Sequence, residues 1–175
     1  MAAKSAVGIP QLLERLERWL LKRRPRYLSG LNPPATAVQL KDLAGKVGQP
    51  VPEELQELLR WHNGQAPGFI GAFEQNWLLM SCRNIADAKK SLDADADQTG
   101  WRKEWIPFLD DDAGDCLYLD TTAREVPVRA FCLGNAEHAV VAPSLAAWLE
   151  DFVTHVERDR YVEDPERGTF LRRSS

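Results

Sequence analysis

Apolar residues recur first at helical spacing, then in short strand-like runs, and again at helical spacing near the end of the chain. The helical pattern predicts helices over residues 11–24, 36–47, 52–62, 84–98 and 144–156. The strand-like runs cover residues 69–71, 77–80, 105–109, 116–119, 126–132 and 138–142. Closely spaced strands favour antiparallel pairing over crossover connections. This order predicts an α+β fold: a mostly antiparallel sheet of about five or six strands, helices packed on one face, N-terminal helices and a C-terminal helix.

Residues suited to helix ends support these predictions. Thr36 with Gln39 predicts a capping box at the start of the second helix, and Gly48 predicts a left-handed residue at its end. The first helix and the charged, proline-containing end of the chain lie outside the central pattern. We therefore expect a helical extension over residues 1–30, an α+β domain over residues 31–157, and a charged tail over residues 158–175 that packs lightly or frays.

Composition narrows the classes of partner. The chain of 175 residues is 44% hydrophobic and 27% charged, as expected for one globular domain, and its net charge is −4. This charge disfavours a nucleic-acid partner bound through a broad basic face. No apolar segment approaches the length of a membrane span, so no membrane partner is expected. The three cysteines have no paired spacing, which favours a reducing, cytoplasmic location without a zinc site or a disulfide framework.

Four aspartates lie within six positions between two predicted strands: Asp110, Asp111, Asp112 and Asp115. We call residues 110–115 the acidic turn. Aspartate and glycine are what tight turns require, so the first interpretation is a solvated hairpin turn. The second interpretation is docking on a cationic protein partner. A carboxylate metal site and acid–base catalysis are the remaining alternatives, although the chain offers no conspicuous histidine, lysine or nucleophile to act with the carboxylates.

Two of the six tryptophans, Trp77 and Trp101, are candidates for a contact surface, and Trp101 lies off the clearest apolar stripes. Trp77 begins a predicted strand, and Trp101 follows the glycine that ends the fourth predicted helix. Tryptophan is enriched among the residues that anchor protein interfaces, and core packing is the alternative. Glu74, in the polar break just before Trp77, completes the set of candidate partner-binding residues.

Three segments resemble the SUKH superfamily, a domain shared by a fungal cell-wall-synthesis regulator and many bacterial immunity proteins. The first runs from Val51-Pro52 to Asn63-Gly64, with valine where leucine is more usual before the proline. The second combines Trp-Ile-Pro-Phe at residues 105–108 with the acidic turn and the strand after it. The third is the strand at residues 128–131 with the final helix. The resemblance covers roughly residues 31–156.

The resemblance implies a binding module and not an enzyme, and it carries over no catalytic residue, cofactor or metal ligand. It implies an immunity protein that neutralises a cognate bacterial toxin by occluding its active site. Such a toxin belongs to a polymorphic, contact-dependent or type VI secretion system, and a nuclease is one example. The alternatives are a regulatory or scaffold protein linked to cell-wall or stress regulation, and a small hydrolase with a carboxylate site. The expected partner is the toxin, bound one to one by a monomer or a dimer of this chain.

Overall fold

The computed structural model describes residues 7–135 and 137–173, and within them the predicted α+β fold is confirmed. The helices are α1 (Ile9–Arg23), α2 (Pro25–Ser29), α3 (Ala37–Val47), α4 (Glu53–Trp61), α5 (Cys82–Ala94), α6 (Ala96–Thr99) and α7 (Leu145–Glu157). The strands are β1 (Leu78–Leu79), β2 (Trp105–Asp110), β3 (Cys116–Asp120), β4 (Val128–Phe131), β5 (Val140–Ala142), β6 (Tyr161–Asp164) and β7 (Thr169–Arg172). Helices lie at the N-terminal end, and α7 lies near the C-terminal end.

Strands β1 to β5 form one sheet in chain order, and each neighbouring pair is antiparallel. The longest pairing joins β2 to β3 across the acidic turn, from Trp105 opposite Asp120 to Asp110 opposite Cys116. The register shifts between Pro107 and Leu109, where the proline has no N–H to donate to the ladder. The hairpin expected on either side of the acidic turn is therefore confirmed.

Two predicted strands differ from the structure. Residues 69–71 form no strand, because Gly68, the residue just before them, has a φ of 74° and turns the backbone. The strand expected from residue 126 begins only at Val128. Val126 has a φ of 44°, and the next residue, Pro127, cannot donate a ladder hydrogen bond.

The helix expected over residues 84–98 begins earlier and is interrupted. Ser81 accepts a hydrogen bond from the Asn84 backbone N–H and starts α5 at Cys82. Asp95 then leaves helical geometry, and α6 follows as a separate short helix. In contrast, the capping box of α3, formed by Thr36 and Gln39, is present as predicted.

The two faces of the sheet differ in what covers them. Alternation along β3 places Leu117 and Leu119 on one face and Tyr118 on the other. The first face joins the main core, to which α1, α3, α4, α5 and α7 contribute apolar side chains. The second face carries a smaller cluster made mostly of aromatic rings: Trp101, Trp105, Cys116, Tyr118 and Phe131.

Helix α1 is part of the main core. Its apolar stripe, which includes Leu12, Leu16 and Leu20, is buried, and the helix packs against α4 and α7. The boundary expected at residue 30 stays a prediction, but the buried stripe makes α1 continuous with the domain that follows. No helix in the described part of the chain is long and apolar enough to cross a membrane.

The expectation that residues 158–175 pack lightly or fray is wrong for the described part of that segment. Residues 161–172 form the antiparallel hairpin of β6 and β7, which we call the C-terminal hairpin. Tyr161 and Phe170 lie on its inner face, stack on one another at 4.9 Å between ring centroids, and are buried in the main core. These two rings lie in short segments that are rich in charged residues, so their common face becomes apparent only when the hairpin closes.

The buried guanidinium of Arg24, between α1 and α2, joins the C-terminal hairpin to the N-terminal helices. Its Nη2 donates hydrogen bonds to the Ala72 carbonyl at 3.0 Å and to Glu163 at 2.8 Å. The guanidinium carbon also lies over the rings of Tyr27 and Phe170, at 4.3 and 4.0 Å from their centroids. One side chain thereby connects three separate segments of the chain.

We expect Arg24→Ala to lower the free energy of unfolding by about 3 kcal/mol, because it removes a buried cation with its hydrogen bonds to Ala72 and Glu163 and its ring contacts. Arg23→Ala is the matched control. It removes only the exposed ion pair with Asp159, so it should cost less than about 1 kcal/mol. Urea unfolding of both variants measures the difference. Equal effects would contradict a special role for the Arg24 contacts.

Candidate functional site

The acidic turn is built by two of its own carboxylates. Asp111 Oδ1 accepts hydrogen bonds from the backbone N–H groups of Ala113 at 2.9 Å and Asp115 at 3.0 Å. Asp115 Oδ1 accepts from the Leu133 N–H at 2.8 Å and so attaches the turn to the loop after β4. Asp112 has a φ of 58°, a left-handed conformation that aspartate tolerates better than most residues. The turn is therefore held in one shape by internal hydrogen bonds.

The charges of the turn are not equivalent. Asp112 is exposed, whereas Asp110 is half-buried at the end of β2. Burial, and then the charges of Asp112 and Asp111, raise the pKa of Asp110 to about 6. The Leu133 side chain lies beside the turn and is 65% exposed. The acidic turn and Leu133 together form a small surface with the exposed Asp112 next to an exposed apolar side chain.

The metal interpretation of the turn gains no support from its geometry. In the described ranges, no three His, Cys, Asp or Glu side chains are arranged to hold a metal ion. Two of the four aspartates instead accept backbone hydrogen bonds, which is the role that the hairpin interpretation assigns to them. Partner docking by the remaining carboxylates stays a prediction.

Glu74 and Trp77 lie at the mouth of one concave site. The Glu74 carbonyl accepts from the Trp77 N–H at 2.8 Å and forms a tight turn in which Gln75 has a φ of 56°. Both residues line a cleft of about 490 Å³ between the core-facing side of the sheet, helix α7 and the C-terminal hairpin. We call it the Glu74 cleft, and the residues that define it are Glu74, Trp77, Leu117, Trp148, Asp151 and Arg172.

Glu74 is 6% exposed, although its side chain is ionisable. Its Oε1 accepts a hydrogen bond from the Tyr161 hydroxyl at 2.8 Å. Burial raises the pKa of Glu74 to about 7, and the hydrogen bonds from Tyr161 and Gln75 oppose that rise only in part. This side chain therefore changes charge close to neutral pH, inside a cleft.

The rim of the Glu74 cleft carries a bonded triplet of polar side chains. Arg172 Nη1 donates to Asp151 Oδ2 at 2.9 Å, and Arg172 Nη2 donates to His155 Nε2. The Nδ1 of His155 lies 2.7 Å from the Asp151 carbonyl oxygen, which can only accept, so this nitrogen carries the proton. Arg172 is thereby fixed to helix α7.

Trp101 lies in the interior and is 3% exposed. Its ring packs edge-on against Trp105 and Phe131 on the second face of the sheet, and its Nε1 donates to Asp93 at 3.0 Å. The sequence placed it off a helical stripe, but a sheet face that contains Tyr118 covers it instead. Contact between Trp101 and a partner stays a prediction, while its geometry gives it a packing role.

A polar network beside this aromatic cluster was not anticipated. Asp120 accepts from Trp105 Nε1 and from Arg129 Nε, each at 3.0 Å, and from Thr122. Burial opposes ionisation of Asp120, but the hydrogen bonds from Thr122 and Trp105 and the charge of Arg129 outweigh it and lower the pKa. His138 joins the network because its carbonyl accepts from Arg129 Nη1 at 2.9 Å, and its Nδ1 lies 3.0 Å from the Tyr118 hydroxyl oxygen. These groups line a second cleft, of about 750 Å³, but they bond mainly to one another.

A model of the SMI1 / KNR4 family (SUKH-1) matches residues 34–151. The chain belongs to this family. The resemblance to the SUKH superfamily drawn from the sequence is therefore confirmed. A comparison with curated proteins found no match. Within the SUKH-1 match lie the acidic turn, Glu74, Trp77 and Asp151, whereas Tyr161 and Arg172 of the C-terminal hairpin follow it.

Sequence reasoning located the acidic turn but missed most of the Glu74 cleft. Asp151 lies on the polar side of the stripe of α7, and Arg172 lies in the segment that was expected to fray. Arg172 could have been found by noting that Tyr161 and Phe170 can share one face of a short hairpin, in which Arg172 pairs with Tyr161. Arg172 lies outside the SUKH-1 match, and no sequence motif connects Asp151 or Arg172 to Glu74.

Substituting Glu74→Gln should make the stability of the fold less dependent on pH. Because the folded pKa lies above the ordinary value of 4.5, the folded state binds the proton more tightly than the unfolded chain. Stability is therefore greatest below that ordinary value and is lost as the pH rises through about 7, by roughly 3 kcal/mol in total. Glutamine can still accept from Tyr161, so the variant should lack this loss.

Urea unfolding at several pH values from about 5 to about 8 measures the effect. Glu125→Gln removes an exposed carboxylate and is the control, which should follow the unmodified protein. If the Glu74→Gln profile ran parallel to that of the unmodified protein, the raised pKa of Glu74 would be wrong.

Proposed function

We propose that this protein is an immunity protein that binds a cognate bacterial toxin, blocks the toxin's active site and catalyses no reaction of its own. Membership of the SMI1 / KNR4 family is consistent with toxin immunity and with cell-wall-related roles. The observation that favours toxin binding is the geometry of the acidic turn and Leu133, because it combines charge, fixed shape and exposed apolar surface.

The fixed shape lowers the cost of binding. Hydrogen bonds to Asp111 and Asp115 already order the loop, so little conformational entropy remains to be lost when a partner docks. Asp112 then presents its charge from a defined position. Leu133 offers an apolar group that can be dehydrated at the same contact.

The charge suits one kind of target. An enzyme that cleaves nucleic acid must hold phosphates, so its active site is lined by lysine and arginine. An acidic loop approaching that site is attracted over several ångströms, which accelerates association, and it covers the site once bound. We therefore place a toxin nuclease, delivered by a polymorphic, contact-dependent or type VI system, first among the possible partners.

Co-expression with the toxin encoded by the neighbouring gene tests the proposal. We expect this protein to restore growth and to purify with the toxin as a stable one-to-one complex. Absence of both rescue and binding would overturn the immunity function, and a regulatory scaffold role linked to the cell wall would then be the family alternative.

Asp112→Asn should slow toxin association about three-fold at low salt without accelerating dissociation, because it removes an exposed charge but retains a residue that tolerates positive φ. The difference should disappear as salt screens the attraction. Surface plasmon resonance over a salt series measures both rate constants. Asp87→Asn, on the exposed side of α5, is the control and should leave the association rate unchanged.

Asp111 is unsuitable for a charge reversal, since its carboxylate accepts the two hydrogen bonds that shape the turn. A lysine there would disturb both charge and geometry. If Asp112→Asn and Asp87→Asn changed association equally, the acidic turn would lie outside the interface.

A further inference from the structure

The Glu74 cleft has features that packing alone does not require. At about 490 Å³ it falls within the size range of sites that accept small ligands or single side chains. Its floor is apolar, formed in part by Leu117 and the buried ring of Trp148, and Trp77 stands half-exposed at its edge. An apolar cleft with few polar groups selects its occupant through those polar groups.

The polar groups of the cleft leave a negative charge without a matched cation. Among the described residues that line it, Arg172 is the one cationic side chain, and it is already bonded to Asp151 and His155. Glu74 accepts hydrogen bonds from two neutral groups, the Tyr161 hydroxyl and the Gln75 side chain. A buried carboxylate is costly unless a cation pairs with it, so an added cation would be stabilised there.

The aromatic rings indicate which cation fits. A guanidinium group is planar, is less strongly hydrated than an ammonium group and stacks favourably on tryptophan. It can also donate two parallel hydrogen bonds to one carboxylate. The indole rings of Trp77 and Trp148 supply a surface for stacking. The Glu74 carboxylate supplies a hydrogen-bond acceptor in the same cleft.

We propose that the Glu74 cleft receives an arginine side chain of the protein partner, with its guanidinium paired to Glu74 and packed against Trp77. This proposal rests on the proposed function for the nature of the partner, a protein with a cationic surface. The cleft is then a second point of contact with the partner, in addition to the acidic turn. The two lie at the same end of the sheet, because Leu78, the residue after Trp77, pairs with Asp110.

The arrangement makes binding dependent on pH. Glu74 faces Tyr161 of β6, Arg172 of β7 and Asp151 of α7, and burial raises its pKa to about 7. The ionised form is the one that pairs with a guanidinium. Affinity should therefore rise about ten-fold between about pH 6 and about pH 8, as Glu74 loses its proton.

Titration with N-acetyl-arginine-amide, followed by NMR of the tryptophan indole N–H groups, tests the site without any toxin. Trp77→Phe and Trp148→Phe assign the two relevant resonances. We expect saturable shifts of both, with the ten-fold gain in affinity towards pH 8. N-acetyl-norleucine-amide has a similar apolar stem and no charge, and it should cause no saturable shift.

Glu74→Gln should lower affinity for the arginine probe about ten-fold at about pH 8 and abolish its pH dependence. Glu125→Gln, which removes an exposed carboxylate outside the cleft, should leave affinity unchanged. Saturation by the norleucine probe, absence of saturation by the arginine probe, or binding that Glu74→Gln leaves intact would each overturn the site. If the probe binds but the toxin is not neutralised, the proposed function fails while the guanidinium site remains.

Discussion

Burial of Tyr161 and Phe170 against Phe152 of α7 positions the whole C-terminal hairpin. Because both rings lie on one face of the hairpin, the polar residues that share this face are carried to defined neighbours. Arg172 reaches helix α7, and the Tyr161 hydroxyl reaches Glu74. The main wall of the Glu74 cleft therefore exists only while these rings are packed. Apolar burial here determines where the ionisable groups lie.

Local chemistry predicted the elements whose ends are set by their own residues. The capping box of Thr36 and Gln39 and the left-handed Gly48 define α3 within a few residues, so the sequence was sufficient. The β2–β3 hairpin was predicted for the same reason, since Asp and Gly between apolar runs favour one geometry. The C-terminal hairpin was missed, because its two aromatic residues are stabilised by distant partners and not by neighbours in sequence.

The two parts of the candidate site differ in the same way in how far the sequence predicts them. The acidic turn was found because all its residues lie within six positions and bond to one another or to a single adjacent loop. The Glu74 cleft joins residues 74, 151 and 172, and no local pattern connects segments so far apart. The packing of Trp101 could not be assigned from the sequence, because periodicity shows that a residue is apolar, but not which sheet face will cover it.

The apolar core of this molecule extends beyond the family-matched span, residues 34–151. Leu12 and Leu16 of α1 fill the core from one side, and Phe170 fills it from the other. A fragment limited to the matched span would expose the apolar surfaces that these residues cover. The volumes of the side chains in both flanking segments are therefore constrained by the core that they complete.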